Sequence, residues 1–308
     1  MRVGVSHGIQ VNFWKVIFMV LDIMLNGLVS GSVFAVLSVG FSLIFGVARI
    51  LNLSHTTFYM IAAYIILITT KKLGFHLIQS TVFAITIPAI LGMIFYKLLF
   101  NRVKERETAV VILSLALALL FQEILLLIFG GTPLRIPPFI SGFVEIASTR
   151  VLYQHLTAIG TPGIALFAIW LLLSKTKLGK AIKAVAQDRE IANLMGINVN
   201  RIYMMTLGIS VALAGVAGVI VAPIFMVSPL MWTEPLIIVL AAVVLGGLGS
   251  VKGSIIASFI LGFSETAIVF LVPHGSFLRG AVSLSVMVIV LLLRPEGLFG
   301  IVFEEERL

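Results

Sequence analysis

Carboxylate, imidazole and amide side chains stand within or beside long apolar runs of this sequence, where they could bind a solute or carry a proton. Glu123 and Glu265 lie inside such runs, and Asn52 and His55 lie where one run ends and the next begins. An ionisable group in an apolar span commonly marks a functional pathway, because its desolvation is costly. Glu265 and, more weakly, Glu123 are therefore candidates for lining a solute pathway.

The segment 49–64 places an Asn, a Ser, a His and two Thr between two apolar runs. Polar, non-helical backbone at membrane depth is tolerated only where protein or water covers it, and such breaks shape substrate routes in transporters. His55 has no companion residues that would make a metal site or a catalytic base. A hydrogen-bonded structural turn and a solute route that includes Asn52 and His55 both stay open.

A stripe of polar residues lies along the apolar run 16–48. Its members recur at multiples of four residues and therefore share roughly one face of a helix. Small residues on such a face let two helices approach closely. Packing is the favoured interpretation, and pathway lining is the alternative. The polar members are Asp22, Asn26, Ser30, Ser38 and Ser42, and the small residues beside them are Gly27 and Gly31.

Catalytic and nucleotide-binding motifs are missing from the sequence. It offers no Ser/His/Asp set, no HExxH motif and no cysteine. A phosphate-binding loop needs Gly-x-x-x-x-Gly-Lys-Ser/Thr, whereas Lys252 is followed by Gly253, and the LGK at 178–180 is followed by Ala181. We therefore expect neither an enzyme nor a chain that binds a metal, ATP or another cofactor itself.

The composition predicts a membrane protein. Hydrophobic residues make up 60% of the 308, charged residues only 11%, and the mean hydropathy is +1.18, which leaves too little polar surface to cover a soluble globule. The fold class predicted is an all-α, polytopic helical membrane protein with about eight to ten transmembrane helices, some broken or kinked. We expect one transmembrane domain over 1–308, surrounded by lipid in an inner or plasma membrane. The apolar runs are 16–48, 56–70, 76–100, 108–129, 153–173, 201–227, 235–248, 254–272 and 276–293.

The charge distribution predicts the orientation. The formal charge of +8 could suggest nucleic acid, but Lys and Arg concentrate in the short loops 101–107 and 174–201, which is typical of cytoplasmic loops. No nucleic-acid partner is therefore expected. The external loop 130–150 is interpreted as a connector, with a cap over a pathway or a contact with an external partner as the alternative. If the run 16–48 crosses once, the N-terminus is outside; if it breaks near Gly40 and crosses twice, the N-terminus is inside. The sequence leaves both open.

The block 243–262 is rich in glycine. We interpret its glycines as a tight turn between two closely packed spans, because glycine permits both close approach and backbone conformations that other residues avoid. The glycines assigned this role are Gly246, Gly247, Gly249 and Gly253.

Three blocks in a fixed order resemble one family. The blocks 27–64, with its Asn52-x-x-His55, 178–202 and 243–262 are similar to the permease subunits of ABC importers for branched-chain amino acids, and more to the H-type than to the M-type subunit. The resemblance implies a type II-like importer permease. This sequence departs from the family pattern after Asn52, where Leu-Ser-His-Thr replaces a segment similar to Phe-Ala-His-Gly.

The loop 174–201 resembles the family's cytoplasmic coupling loop. Glu190, Ile191 and Ala192, followed three residues later by Gly196, match the spacing of the EAA-x-x-x-G motif, with Ile191 in place of an alanine. The resemblance implies that a short helix here docks on the ATPase. The residues it assigns to ATPase coupling are Gly179, Ala184, Asp188, Glu190, Ala192, Gly196 and Asn198.

The same resemblance implies the partners and the mechanism. Two ATPase subunits that hold ATP and Mg²⁺, a second homologous permease and an extracytoplasmic binding protein would complete the importer, and this chain would translocate branched-chain or related amino acids. Ribose- or nucleoside-type, urea and short-chain amide permeases are alternatives of the same kind. A stand-alone ion-coupled carrier is an alternative from another class, and it would depend on Glu123 or Glu265.

Overall fold

A computed structural model describes residues 4–146 and 149–299, with side chains described for 19–145 and 151–299. Each of the nine apolar runs contains one helix, which confirms the all-α membrane architecture. The helices are α1 Gly4–Ala48, α2 His55–Leu67, α3 Leu77–Phe95, α4 Asn101–Val103, α5 Glu107–Phe129, α6 Tyr153–Lys175, α7 Lys177–Gln187, α8 Arg189–Leu194, α9 Val199–Val221, α10 Thr233–Gly246, α11 Val251–Leu271 and α12 Arg279–Leu293.

Seven of the described helical spans are long and apolar enough to cross a membrane unaided. The other two apolar helices are shorter: α2 has 13 residues and α10 has 14. A π-helical segment, Ile68–Lys72, lengthens α2, and another, Tyr96–Phe100, joins α3 to α4. All of α2 except Ile65 is buried, so its short length is accommodated inside the protein and not against lipid.

The first helix is continuous through Gly40. It runs over 45 residues, about 67 Å at 1.5 Å per residue, and its apolar span is Met19–Ala48. A single helix of this length crosses a hydrocarbon core of ~30 Å once. The structure therefore decides between the two topologies and places the start of α1 on the opposite side from Arg49.

Polar contacts between loops define the two ends of the molecule. At one end the Lys104 ammonium donates to Asn200 Oδ1 and Arg189 lies 3.9 Å from Glu105. At the opposite end the backbone of Leu134 pairs with Val227. Both basic loops, 101–107 and 174–201, lie at the first of these ends, which is the cytoplasmic one by the positive-inside rule.

The core is centred on two helices. The most apolar windows of α1 and α9 are 78% and 72% buried, against 6% in α12 and 17% in α5 and α6. α1 packs along α11 and α9, and α9 packs in turn against α2 and α3. The outer helices α3, α5, α6 and α12 therefore present apolar faces to lipid or to another subunit.

Two local features complete the fold. The loop 130–150 contributes to an antiparallel hairpin of β1 Phe143–Ile146 and β2 Thr149–Leu152. Pro88 and Pro162 lie inside α3 and α6, where proline removes a backbone hydrogen bond and bends a helix. Pro223 lies in the turn after α9, which ends at Val221.

Candidate functional site

The cytoplasmic loop folds into two consecutive short helices, α7 and α8. α7 begins with a cap in which the Gly179 N–H donates to Thr176 Oγ1 over 3.0 Å. A Cβ placed on Gly179 would come within 2.6 Å of Leu173 Cα in α6. Glycine is needed there because α7 turns back closely on the end of α6. Ala184 closes the far end of α7, where its carbonyl accepts the Asp188 N–H.

Both ends of α8 are capped. Asp188 Oδ1 accepts the backbone N–H groups of Glu190 and Ile191 over 2.8 and 2.9 Å, as an N-cap residue does. At the other end Gly196 has a φ of +83°, its N–H donates to the Asn193 carbonyl, and the next N–H donates to the Ala192 carbonyl. This is the Schellman arrangement, and it holds a six-residue helix in one conformation.

One side of α8 is apolar and exposed. Ile191, Leu194 and Met195 are 59%, 85% and 78% exposed, whereas Ala192 on the other side is 4% exposed. We call these three exposed residues the α8 tip. Apolar side chains held out in this way on a capped helix suit a partner groove. The Glu190 side chain is exposed beside the tip.

Polar contacts join α8 to the rest of the cytoplasmic face. Arg189 faces Glu105 in the loop after α3. Asn198 caps α9 by accepting the Arg201 N–H over 3.0 Å, so α9 begins directly after the α8 turn. α8 is therefore joined through a short capped turn to α9, one of the two central helices.

The buried His55 joins three helices. Its Nε2 donates to the Leu37 carbonyl of α1 over 3.0 Å, and its Nδ1 lies 3.3 Å from Ser210 Oγ of α9. Ser210 in turn donates to the Gly40 carbonyl over 2.7 Å. A Cβ on Gly40 would lie 2.9 Å from the imidazole Cε1, so the glycine makes room for the ring.

Asn52 has a local role in the same turn. Its Oδ1 accepts the Ser54 N–H and hydroxyl over 3.2 and 2.6 Å, which sets the chain for the start of α2. Asn52 and His55 are both 0% exposed. Neither lines the cavity described next.

A cavity of about 370 Å³ opens near the outer end of the molecule, between α1, α2, α9, α10, α11 and α12. Its polar lining includes Ser30, Tyr59, Glu234, Glu265 and Arg279. Arg279 and Glu234 form an ion pair at 3.9 Å with side chains 37% and 57% exposed. Glu265 is 4% exposed and accepts a hydrogen bond from the Ser283 hydroxyl. The remaining lining is mainly apolar and includes Val33, Phe34, Met231 and Ile238.

The structure brings some of the predicted pathway residues together and separates others. Ser30 and Glu265 face this one cavity. Asn26 lies one turn before Ser30 on α1, where its amide donates to the Asp22 carbonyl over 2.9 Å. Glu123 is exposed on α5 and accepts from Gln122, away from the cavity.

Sequence reasoning missed Glu234 and Arg279. Arg279 is the first residue of α12, and Glu234 lies in the first turn of α10. The sequence feature that could have identified them is that each charge stands at the start of an apolar helix, near its outer end. Their proximity depends on the packing of α10 against α12.

The predicted structural glycines lie where helices pack closely or where the chain turns. A Cβ on Gly27 would collide with Phe263, and one on Gly31 with Phe259, where α1 meets α11. Gly246 and Gly253 face each other at the ends of α10 and α11, and a Cβ on either would collide with the backbone of the other. Gly247 and Gly249 have φ of +95° and +83°, which the turn between these helices requires.

This combination defines a class: a helical membrane protein whose cytoplasmic loop folds into two short helices, the second capped at both ends and apolar on its exposed side. The family described as branched-chain amino acid transport system, permease component, matches residues 23–293. The chain belongs to this family of permeases.

Relatives of known name match over nearly the whole chain. The high-affinity branched-chain amino acid transport system permease protein BraD of Pseudomonas aeruginosa is 28% identical, with 92% of this chain and 97% of BraD covered. LivH of Escherichia coli, named for the same kind of system, is 25% identical over 90% of this chain and 94% of LivH. The ribose import permease protein RbsC of E. coli is 32% identical, but over only 49% of this chain and 50% of RbsC.

A solved structure shares the fold. The structure described as PsaBC from Streptococcus pneumoniae in complex with Fab superposes with a TM-score of 0.51, at 15% identity, over 89% of this chain and 92% of that one. The likeness supports the fold alone.

Proposed function

We propose that this chain is the transmembrane permease subunit of an ABC importer that carries branched-chain or related amino acids into the cell. The family membership supports the class, and BraD and LivH, named for branched-chain amino acid transport, support the solute. The observation that carries the proposal is the α8 tip, Ile191, Leu194 and Met195, exposed on a helix capped at both ends.

ATP hydrolysis would take place in separate subunits. The importer would contain two ATPase subunits holding ATP and Mg²⁺, a second homologous permease that makes a heterodimer, and an extracytoplasmic binding protein. Closure of the ATPases would push the α8 tip, and the Asn198 turn would pass the movement to α9. A rigid helix can transmit such a push because its caps prevent it from absorbing the displacement. The permease chain itself would need no cofactor.

The test is to purify tagged complexes in mild detergent and to identify the recovered subunits by mass spectrometry. Wild type should bring two P-loop ATPases and a second permease, and membranes containing it should take up leucine when ATP is supplied. Leu194→Asp should lower ATPase recovery and leucine uptake at least tenfold, because it puts a charge into an apolar contact. The variant should still insert, since Leu194 is 85% exposed.

The control variant is Lys177→Asp, an exposed residue at the start of α7. It changes charge on the same loop without altering the α8 tip and should leave recovery and uptake close to wild type. Normal uptake by Leu194→Asp would contradict the docking role of α8. Recovery of wild type alone, under conditions that keep other complexes intact, would point to a stand-alone carrier.

A ribose-type permease is the second candidate, and the partial match to RbsC favours it. The two candidates differ in the transported solute. Uptake of labelled ribose that is unaffected by excess leucine would select the sugar, whereas uptake of labelled leucine that is inhibited by isoleucine and valine would select the amino acids.

A further inference from the structure

The outer cavity has the volume and the lining of a small-molecule site. Its volume of about 370 Å³ falls in the range of small-molecule sites, ~300–1,000 Å³. The walls are mainly apolar, and a few polar groups converge on them. An apolar pocket with a small number of placed polar groups is the usual form of a ligand site.

The charged pair at the mouth is loosely bound. Arg279 and Glu234 are 3.9 Å apart and partly exposed, whereas charge-assisted hydrogen bonds close to ~2.7–2.9 Å. An exposed pair of this kind contributes little stability. Both groups therefore retain hydrogen-bonding capacity that a ligand with an anionic and a cationic group can use.

A second carboxylate lies deeper in the same cavity. Glu265 is almost fully buried and takes one hydrogen bond from the Ser283 hydroxyl, and Ser30 of α1 lines the same space. A ligand ammonium would therefore meet Glu234 at the mouth and Glu265 at the floor. Beside them, Val33, Phe34 and Ile238 offer an apolar surface.

We propose that this cavity binds an aliphatic α-amino acid as its zwitterion, within a single permease subunit. The carboxylate would lie on Arg279, the ammonium on Glu234, and the aliphatic side chain against the apolar wall. A sugar would bring no opposite charge to either group and would place hydroxyls on apolar surface, which costs free energy. The inference rests on the proposed function and extends it, because it gives the permease its own contact with the solute.

The test uses the purified importer complex without its binding protein, so that leucine can bind only to the membrane part. Thermal aggregation in detergent is measured with leucine, with leucinol, which lacks the carboxylate, and with 4-methylpentanoate, which lacks the amine. Leucine at millimolar concentration should raise the aggregation temperature of wild type, and neither analogue should. Leucine uptake into vesicles is measured on the same preparations.

Variants locate the site. Arg279→Gln and Glu234→Gln should each weaken the apparent leucine affinity on the order of tenfold, because each removes one charge-assisted contact. Ser30→Phe, which narrows the cavity and leaves both charges in place, should abolish leucine protection. Arg135→Gln is the matched control, since Arg135 is exposed on the same side and outside the cavity.

The outcomes separate this inference from the proposed function. Leucine uptake by wild type without any leucine protection, or equal protection of wild type and all three cavity variants, would overturn the cavity site and leave the transport role standing. The space would then belong to lipid or to the partner permease. Uptake of ribose and not leucine would instead overturn the proposed function. If Arg279→Gln or Glu234→Gln lowers the aggregation temperature without ligand, leucine protection of Ser30→Phe is the deciding measurement. Protection of Ser30→Phe equal to that of wild type would then overturn the cavity site.

Discussion

At the scale of single residues, glycine has its clearest role where α10 and α11 meet. Gly246 and Gly253 approach so closely that a Cβ on either would collide with backbone of the other. Backbone cannot move aside as a flexible side chain can. The segment after α12 is also attached here, because the Phe299 N–H donates to the Gly246 carbonyl over 3.1 Å.

Gly253→Ala should therefore destabilise the protein, by about 1–3 kcal/mol, the usual cost of overpacking. The measurement is the aggregation temperature of the purified protein in detergent. Gly163→Ala in α6 is the control, since nothing lies within 4 Å of a Cβ there and alanine favours a helix by up to ~1 kcal/mol. Equal aggregation temperatures for Gly253→Ala and wild type would show that the two helices can separate at little cost.

At the scale of elements, α8 depends on its caps more than a long helix would. Its six residues are too few for a helix that is stable by propensity alone. The cap at Asp188 and the left-handed Gly196 supply hydrogen bonds that the helix ends would otherwise lack. In the proposed importer, fraying at either end of α8 would let the α8 tip change conformation and so absorb part of the movement of the ATPase.

Asp188→Ala should remove about 1 kcal/mol of helix stability and lower leucine uptake per ATP hydrolysed by the reconstituted importer. Asp188→Ser should restore the ratio, because serine also accepts from the backbone at an N-cap position. The measurement is uptake and ATP hydrolysis in the same vesicles. A failure of serine to restore coupling would show that the carboxylate acts through its charge and not through the cap.

At the scale of the whole molecule, the basic loops determine the orientation of the chain. The chain contains no cysteine, so single cysteines report position without background. His76→Cys, at an exposed residue before α3, should react with a membrane-impermeant maleimide in intact cells. Lys177→Cys should react only after the membrane is opened. Labelling of Lys177→Cys in intact cells would show that the orientation is the reverse of the one assigned here.

Much of the architecture could be predicted because it depends on local chemistry. Nine apolar runs gave nine helices, since a backbone in lipid must satisfy its hydrogen bonds within each span. The basic loops marked one end, because transfer of Lys and Arg across the membrane is disfavoured. The resemblance of Glu190, Ala192 and Gly196 to the coupling-loop motif implied a short helix, and α8 is such a helix, followed by a left-handed Gly196.

The tertiary structure alone decided which distant groups meet. Gly40 looked like a possible break, yet α1 continues through it, and His55 of α2 packs in the space that the missing side chain leaves. Glu234 and Arg279 come together only because α10 packs against α12. Local periodicity shows which faces of a helix are apolar, but the pairing of faces depends on the fit between side chains far apart in the chain, and this fit formed the outer cavity.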